Sequence, residues 1–193
     1  MTESSTGTSQ LLLGQWSAEL TTSDGVRLFV RPAAPEDGAR VADFLAGLGH
    51  DDLRFRFLTP IARPSHALLD LLVKVDHVRT EDFLAFADED GEKVLVASAM
   101  IAADPSLERA EVAIAIRPDY QRRGLGWALL EFVARDAAAR GIGWLESVEC
   151  RDNRAAIALE QEMGFTASAF PGDATLTLLR KPLGTRAMSG DPA

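Results

Sequence analysis

The sequence has a single cysteine, Cys150, among 193 residues. One cysteine cannot form an intrachain disulfide, and it cannot supply the several thiolates of a zinc ribbon. Basic residues are also in the minority, since 20 Lys and Arg stand against 29 Asp and Glu and the formal net charge is −9. A general nucleic-acid-binding protein needs a basic face, and a polybasic membrane anchor needs a basic segment. Both classes are therefore excluded.

The sequence also lacks a long apolar run, because none approaches the ~20 residues that a membrane-spanning helix requires. The N-terminal residues carry no positive segment, and Leu11–Leu13 is too short for the apolar part of a signal peptide. We therefore expect a cytoplasmic protein. Apolar residues make up 47% and charged residues 25% of the chain, which is the composition of a globular domain.

Only the two ends have the composition of flexible segments. Ser, Thr and Gly dominate the first ten residues, and the chain ends in GTRAMSGDPA. We predict a flexible segment over 1–20, a single domain over 21–183 and a flexible tail over 184–193. No repeat or low-complexity stretch interrupts the domain.

The pattern of apolar residues predicts the order strand, helices, three strands, helix, strand, helix and two strands. Gly25–Arg31 alternates apolar and charged residues, as a strand does, and Gly124–Arg140 has the apolar spacing of a helix that ends at Gly141. The strand–helix–strand stretch implies one parallel pair in an otherwise antiparallel, mixed sheet of the α/β class. The other predicted strands are Phe83–Ala87, Val94–Ala103, Ala110–Arg117, Trp144–Val148, Phe165–Phe170 and Thr175–Leu179, and the other helices open at Pro35, His50, Ser65 and Asn153.

The most informative stretch runs from Glu111 to Gly126, where a strand leads through an arginine-rich loop into a helix. Gly124-x-Gly126 opens that helix. Backbone N–H groups in a first helical turn lack partners, and glycines let a phosphate approach them closely. The arrangement predicts a pyrophosphate site, although a bare G-x-G also suits a solvated turn. The stretch lacks the P-loop pattern and the third glycine of a dinucleotide fingerprint. Its arginines are Arg117, Arg122 and Arg123.

Two motifs carry a family resemblance. Gln121-x-x-Gly124-x-Gly126 resembles the acyl-CoA signature of the GNAT superfamily of N-acetyltransferases. Asn153-x-x-Ala156-x-x-Leu159, followed by Gly164-Phe165, is similar to the second motif of that superfamily on the CoA side. The predicted element order is also similar. The resemblance covers about residues 26–181 and implies the GNAT fold, a mostly antiparallel sheet with one parallel βαβ pair and flanking helices. It implies an enzyme that transfers the acetyl group of acetyl-CoA directly to a primary amine.

The opening of the domain resembles a subgroup. Arg31-Pro-x-x-Pro-Glu-Asp37 and Leu53-Arg-Phe-Arg-Phe57 are similar to the start of the Pat-type bacterial protein lysine acetyltransferases. Those proteins also carry a regulatory domain, which we do not expect within the 193 residues of this chain. The resemblance implies a protein lysine as the acceptor. A small-molecule amine, or a catalytically weak module that only binds acyl-CoA, stays an alternative, and both a monomer and a homodimer are compatible with the sequence.

The resemblance places the general base at Glu111. An ammonium is not a nucleophile, and because the pKa of lysine is ~10.4 a base must remove a proton before the amine attacks. The apolar run Val112–Ile116 follows Glu111, so partial burial would raise the pKa of this carboxyl into a useful range. In the alternative interpretation Glu111 is a solvated acid at the strand end, paired with Arg109.

The resemblance also implies the contacts to acetyl-CoA, and it implies no metal. A backbone N–H of the same strand, near a bulge that separates this strand from the next one, would stabilise the thioester oxygen, and we place it around Ile114–Ile116. The position that often holds a tyrosine as general acid is occupied by Glu160, and we expect Tyr120, the one tyrosine, to be a packing residue, so the general acid is unassigned. The residues expected to contact acetyl-CoA are Ile114, Ala115, Ile116, Gln121, Arg122, Arg123, Gly124, Leu125, Gly126, Trp127 and Asn153.

The distribution of charged residues predicts further features of the site. We expect the loop arginines to form a local basic cluster that offsets the net charge for a polyanionic ligand, and we expect the remaining acidity to favour a cationic acceptor. Arg54 and Arg56 alternate with Phe55 and Phe57. These arginines would contact CoA or an acidic acceptor, or they would form a solvated face.

Overall fold

The computed structural model describes residues 17–61 and 64–184. Most of the segment predicted to be flexible at the N-terminus therefore lies outside the described residues, as does the predicted tail after Gly184. The last residues of that N-terminal segment differ from the prediction, because Ala18–Thr21 forms a strand. This strand pairs antiparallel with residues 27–30, so that Ala18 lies opposite Val30 and Thr21 lies opposite Arg27.

The described residues form an eight-stranded sheet with the order β1-β2-β3-β4-β5-β6-β8-β7. Every neighbouring pair is antiparallel except β5 and β6, which are parallel. This topology confirms the predicted mixed sheet. The strands are β1 (Ala18–Thr21), β2 (Arg27–Pro32), β3 (Thr80–Glu89), β4 (Glu92–Ala103), β5 (Arg109–Ile116), β6 (Trp144–Cys150), β7 (Thr166–Ala169) and β8 (Leu176–Pro182).

Five helices flank the sheet. They are α1 (Gly38–Ala46), α2 (His50–Phe57), α3 (His66–Val73), α4 (Leu125–Ala139) and α5 (Arg154–Glu162). The helix predicted to open at Pro35 starts as a 3-10 turn, Pro35–Asp37. None of these helices, which are those of the described part of the chain, is long and apolar enough to cross a membrane.

The two faces of the sheet are covered by different helices. Val112 belongs to the larger core cluster, together with Leu129 and Val133 of α4. Ala115 belongs to the second cluster, together with Leu45 of α1 and Leu72 of α3. Because successive side chains of a strand alternate between faces, Glu111 lies on the same face as Ala115, which is the face that α1–α3 cover.

β5 and β6 pair over a short distance and then part. Their last paired residues are Glu111 and Glu146, although β5 runs on to Ile116. The pairing of β5 with β4 is unbroken up to Ile116. The register shift of this region lies between β3 and β4, where Val96 of β4 is an extra residue between the partners of Ala85 and Phe86. The bulge expected near Ile114–Ile116 is therefore absent from β5. No extra residue is needed, since the strands separate where their parallel pairing ends.

We expect Phe83→Ala to test the core that holds β5 in place. Phe83 is fully buried and packs edge-on against Phe132 of α4, with ring centroids 5.0 Å apart. Removing a buried ring leaves a cavity, so urea denaturation should show a loss of about 3–5 kcal/mol in the free energy of unfolding. The control is Leu71→Ala on α3, where the side chain is 66% exposed and a change within about 0.5 kcal/mol is expected. Equal losses for the two variants would contradict this view of the core.

Candidate active site

A cleft of about 570 Å³ opens where β5 and β6 part. Its walls come from both strands, from α2, from the loop that precedes α4 and from the first turns of α4 and α5. The cleft lies at the one place in the described sheet where two neighbouring strands leave their facing edges unpaired. It is also where the two motifs of the sequence meet, because Gln121 and Asn153 both line it.

The backbone of β5 offers hydrogen-bonding groups to this cleft. At one end of the strand the Arg117 N–H donates to the Val96 carbonyl, and at the other end the Asp104 N–H donates to the Arg109 carbonyl, each at 2.9 Å. N–H and C=O groups alternate in direction along a strand. Odd-numbered residues of β5 therefore bond to β4, and even-numbered residues direct their backbone groups to the cleft.

This alternation separates the three residues predicted to bind through their backbone. Ile114 and Ile116 direct their N–H groups to the cleft. The backbone of Ala115 instead faces Ser98 of β4, with which it is paired, so Ala115 reaches the cleft wall only with its methyl group. The Ile116 carbonyl already accepts a hydrogen bond from Gln121 Nε2 at 3.2 Å.

The turn before α4 requires glycine at its first signature position. Gly124 precedes α4 with φ +82°, and a Cβ there would lie 2.7 Å from Ser23 Oγ. A Cβ on Gly126 would lie 3.3 Å from Leu159 Cδ1. Only a residue without a side chain fits both the left-handed backbone and the close approach at the first position.

The first turn of α4 supplies N–H donors. The first intrahelical hydrogen bond runs from the Ala128 N–H to the Gly124 carbonyl at 3.1 Å. The N–H groups of Leu125, Gly126 and Trp127 thus have no partner within the helix, as is usual at a helix N-terminus. Leu125 is buried in the core and Trp127 is 42% exposed outside the cleft walls. Leu125 can therefore contact a ligand there through its N–H group only, whereas the exposed Trp127 side chain is not part of the cleft wall.

The predicted cluster of three arginines is wrong. Arg117 pairs with Glu89 and, at 2.7 Å, with Asp119. Arg123 pairs with Asp24 at 2.8 Å and lines a smaller cavity beside Tyr120. Both guanidinium groups are therefore held by carboxylates outside the cleft. Tyr120 is buried and donates its hydroxyl to Glu89, which agrees with a packing role.

Arg122 is the remaining cation of the loop. Its side chain is exposed and lines the cleft, and it has no ion pair with any described residue. Its backbone φ is +58°, a left-handed conformation that is uncommon for residues other than glycine. Of the loop arginines, Arg122 alone is placed to contact an anion in the cleft.

Helix α2 spans the cleft and is tied to both sides of it. On the β5 side, Gln121 Nε2 donates to Asp52 Oδ1 at 2.9 Å. On the β6 side, Arg54 Nη2 lies 3.5 Å from Asp152 Oδ2. Gln121 thus joins the signature loop to α2, a positioning role that the sequence motif alone does not indicate.

Glu111 is the last residue of β5 that pairs with β6, and its side chain is exposed within the cleft. Burial by the surrounding protein raises the pKa of the Glu111 carboxyl. The positive charge of Arg56 lowers this pKa in part, and the negative charge of Glu146 raises it. No ion pair joins Glu111 to Arg109 among the described residues. The position and the raised pKa suit a general base, and that role stays a prediction.

Arg56 is a functional candidate that the sequence left undecided. Its side chain lines the cleft, and its Nη2 atom is buried without a hydrogen-bond partner among the described residues. Burial lowers the pKa of its guanidinium, and the nearby charges of Asp82 and Glu111 oppose that shift. Asp82 is fully buried, accepts a hydrogen bond from Ser98 at 2.8 Å, and burial raises its pKa to about 6.

Two further carboxyls line the cleft on its other side. Glu160, at the position of the family tyrosine, is buried and accepts a hydrogen bond from the Ser147 hydroxyl, and burial raises its pKa to about 7. Burial and the charge of Glu160 raise the pKa of Glu149 to about 8. Asn153 caps α5 through the Ala156 N–H and donates to Glu149 Oε2 at 2.7 Å. Sequence reasoning missed Glu149.

The other titratable candidates lie apart from this chemistry. Cys150 is a buried free thiol at the end of β6, and burial raises the pKa of this thiol. His77 Nδ1 lies 2.9 Å from Glu81 Oε2, on the loop before β3. Within residues 17–61 and 64–184, no three His, Cys, Asp or Glu side chains are grouped closely enough to hold a metal ion.

Sequence comparison identifies relatives of this chain. A sequence model of the acetyltransferase (GNAT) family matches residues 51–165, which is more than half of the chain. An acetyltransferase of Pseudomonas aeruginosa is 34% identical over 160 residues, which cover 83% of this chain and 86% of the relative.

Solved structures share the fold. The GNAT domain of Pat from S. lividans superposes with a TM-score of 0.79 at 24% identity, over 88% of this chain and 98% of that domain. Spermidine N-acetyltransferase from Vibrio cholerae, solved with CoA and spermine, gives a TM-score of 0.66 at 15% identity, over 82% of this chain and 96% of that one. The eight-stranded sheet, the family match and the Pseudomonas relative together show that the chain belongs to the GNAT family of N-acetyltransferases.

Proposed function

We propose that the protein transfers the acetyl group of acetyl-CoA to a primary amine, and that the amine is a protein lysine. The single observation that carries the proposal is the cleft between β5 and β6, which combines unpaired strand edges, a glycine-marked helix start and a carboxylate base. The lysine acceptor is supported by the Pat-like residues at the start of the domain and by the excess of acidic groups around the cleft.

The described residues fit acetyl-CoA as the acyl donor. Pyrophosphate is an anion of the kind that the unpaired N–H groups of Leu125, Gly126 and Trp127 bind at a helix start, and Arg122 adds a positive charge beside them. The pantetheine arm carries amide groups, which the cleft-facing N–H and C=O groups of β5 can pair as they would pair another strand. Acetyl-CoA supplies the acetyl group on a thioester.

Glu111 removes a proton from the incoming ammonium, directly or through a water molecule. Because an amine attacks only in its neutral form, the fraction of ionised Glu111 limits the rate at low pH. Its pKa is raised, so we expect activity to rise with pH above the usual range of a glutamate. The N–H of Ile114 or Ile116 is placed to donate to the carbonyl oxygen as that atom gains negative charge.

We expect Gly124→Asp to remove acetyl-CoA binding. The new side chain meets Ser23 and brings a negative charge to the N-terminal turn of α4, where the anion binds. Isothermal titration calorimetry should detect no binding, while circular dichroism shows a folded protein.

The matched control is Gly141→Asp. Gly141 has φ +83° and open space around its Cβ position, so the substitution imposes a similar backbone strain away from the cleft. We expect this variant to bind acetyl-CoA as the wild type does. Equal binding by both variants and the wild type would show that the turn does not hold the phosphates.

We expect Glu111→Gln to lower kcat at least about tenfold, because removal of a general base typically costs 10²–10⁴ in rate. Affinity for acetyl-CoA should be unchanged, and the part of the rise with pH that follows ionisation of Glu111 should disappear. The measurement is CoA release followed with a thiol reagent, and the control is Glu108→Gln, an exposed glutamate just before β5. A Glu111→Gln variant with wild-type turnover would contradict the assignment of the base.

The acceptor is tested with the same assay, offering lysine-containing proteins in one arm and small amines such as polyamines in the other. We expect amine-dependent CoA release with proteins, and mass spectrometry should locate the acetyl group on lysine side chains. Labelling of small amines alone would contradict the lysine acceptor. CoA release that no amine stimulates would contradict the transferase itself and favour a module that only binds acyl-CoA.

A further inference from the structure

Glu149 of β6 and Glu160 of α5 both line the wall of the cleft. Glu160 accepts a hydrogen bond from Ser147, which lies two residues before Glu149 on the same face of β6, so the two carboxyls are neighbours and are called the carboxyl pair. Each carboxyl has one neutral hydrogen-bond donor, Asn153 for Glu149 and the Ser147 hydroxyl for Glu160. Among the described residues, no arginine, lysine or histidine forms an ion pair with either carboxyl. The pair is therefore held in place but not neutralised by a cation.

Two carboxyls in such surroundings cannot both ionise easily. Burial disfavours the charged form of each, and the charge of one disfavours the charge of the other. Burial raises the pKa of Glu160 to about 7, and burial together with the charge of Glu160 raises the pKa of Glu149 to about 8. The two groups titrate as a coupled unit, so the pair as a whole keeps a proton near neutral pH.

The carboxyl pair and Glu111 lie on opposite faces of the sheet. Glu146 is paired with Glu111 and shares its face. Side chains alternate along β6, so Glu149 lies on the other face, together with Leu145, which packs in the core beneath α4. The cleft passes between these faces, with a base on one side and a protonated carboxyl on the other.

Other charged side chains also line the cleft. The neighbouring strand β8 places the uncharged Thr177 opposite Glu149. None of the cations in the cleft wall approaches the pair within ion-pair distance, so the proton on the pair is not displaced by a salt bridge. The charged residues of the cleft wall besides the pair are Asp52, Arg56, Glu111, Arg122, Asp152 and Arg154.

We propose that the carboxyl pair Glu149–Glu160 is the general acid that gives a proton to the departing CoA sulfur. This inference rests on the proposed acetyl transfer. The amine nitrogen forms the C–N bond, the C–S bond breaks, and its electron pair leaves with sulfur, which takes the proton of the pair. The nitrogen enters as an ammonium group and loses two protons as it becomes the nitrogen of a neutral amide. Glu111 passes the first to solvent, and the second restores the pair, so that one proton is released per turnover.

The first test reads the proton on the pair without any activity measurement. In protein labelled with ¹³C at the glutamate carboxyls, NMR titration of the wild type, Glu149→Gln and Glu160→Gln assigns the two signals. We expect at least one carboxyl of the wild-type pair to stay protonated at pH 7. In each single variant the remaining carboxyl should titrate at lower pH, because its charged neighbour is gone. Full ionisation of both wild-type carboxyls by pH 6 would overturn the proposal.

The second test uses the pH dependence of kcat. Loss of the proton from the pair should lower the wild-type rate on the alkaline side. We expect the double variant Glu149→Gln/Glu160→Gln to lose at least about tenfold in kcat and to lack this alkaline fall, while its affinity for acetyl-CoA is unchanged. The control is Glu162→Gln, an exposed glutamate on the same helix.

The outcomes separate the two proposals. A wild type that transfers acetyl to no amine would overturn both the proposed function and the role of the pair. An active wild type whose kcat and alkaline fall persist in the double variant would overturn only the role of the pair.

The pH dependence of the thermal stability gives a further test of the proton on the pair, one that needs no activity measurement. A carboxyl with a raised pKa in the folded state stabilises the fold at low pH, and that contribution is lost as pH rises through the folded pKa. The wild-type Tm should therefore fall between about pH 4.5 and 8 more steeply than that of the double variant. Equal slopes would contradict the protonated pair.

Discussion

β5 and β6 hydrogen-bond to each other over three residue pairs and then separate, and this early end of the parallel pairing is the constraint on which the site depends. It leaves the backbone groups of Ile114 and Ile116 without a neighbouring strand. It places Glu111 at the point of separation, where the carboxyl is partly surrounded by protein. The core beneath α4 holds β5 from one face, and α1–α3 hold it from the other, so the open edge is kept in place by packing on both sides.

The electrostatics of the cleft differ from those of a basic phosphate-binding pocket. The chain has a net charge of −9, and two of the three loop arginines are bound to carboxylates elsewhere. At the start of α4 a polyanion would therefore meet the unpaired N–H groups and Arg122, and not a cluster of three arginines. The same local arrangement leaves acidic groups on the remaining walls, which suits a cationic acceptor and would repel an anionic one.

The sequence predicts the fold and the glycine turn before α4 well because both rest on local signals. Apolar periodicity locates the strands and helices, and Gly124-x-Gly126 marks a helix start whose left-handed backbone the structure confirms. Strand β1 was missed because Ala18–Thr21 is four residues long and only partly buried. The helix predicted to open at Pro35 differs from the prediction only in its first turn, Pro35–Asp37, which is a 3-10 turn.

Contacts between distant parts of the chain could not be predicted from the sequence. Arg123 is paired with Asp24, 99 residues away, and Arg117 with Glu89, 28 residues away, and no local pattern indicates either partner. The direction of the Ala115 backbone depends on the register with β4, and the carboxyl pair forms only when β6 and α5 pack together. These are effects of tertiary structure, which periodicity and motif spacing do not encode.

The most direct test of the central claim is a crystal structure of the protein with acetyl-CoA. We expect the pantetheine arm to lie between β5 and β6, with hydrogen bonds to the backbone of Ile114 and Ile116 and with the pyrophosphate at the first turn of α4. Acetyl-CoA bound elsewhere, with no contact to the open edge of β5, would contradict the account.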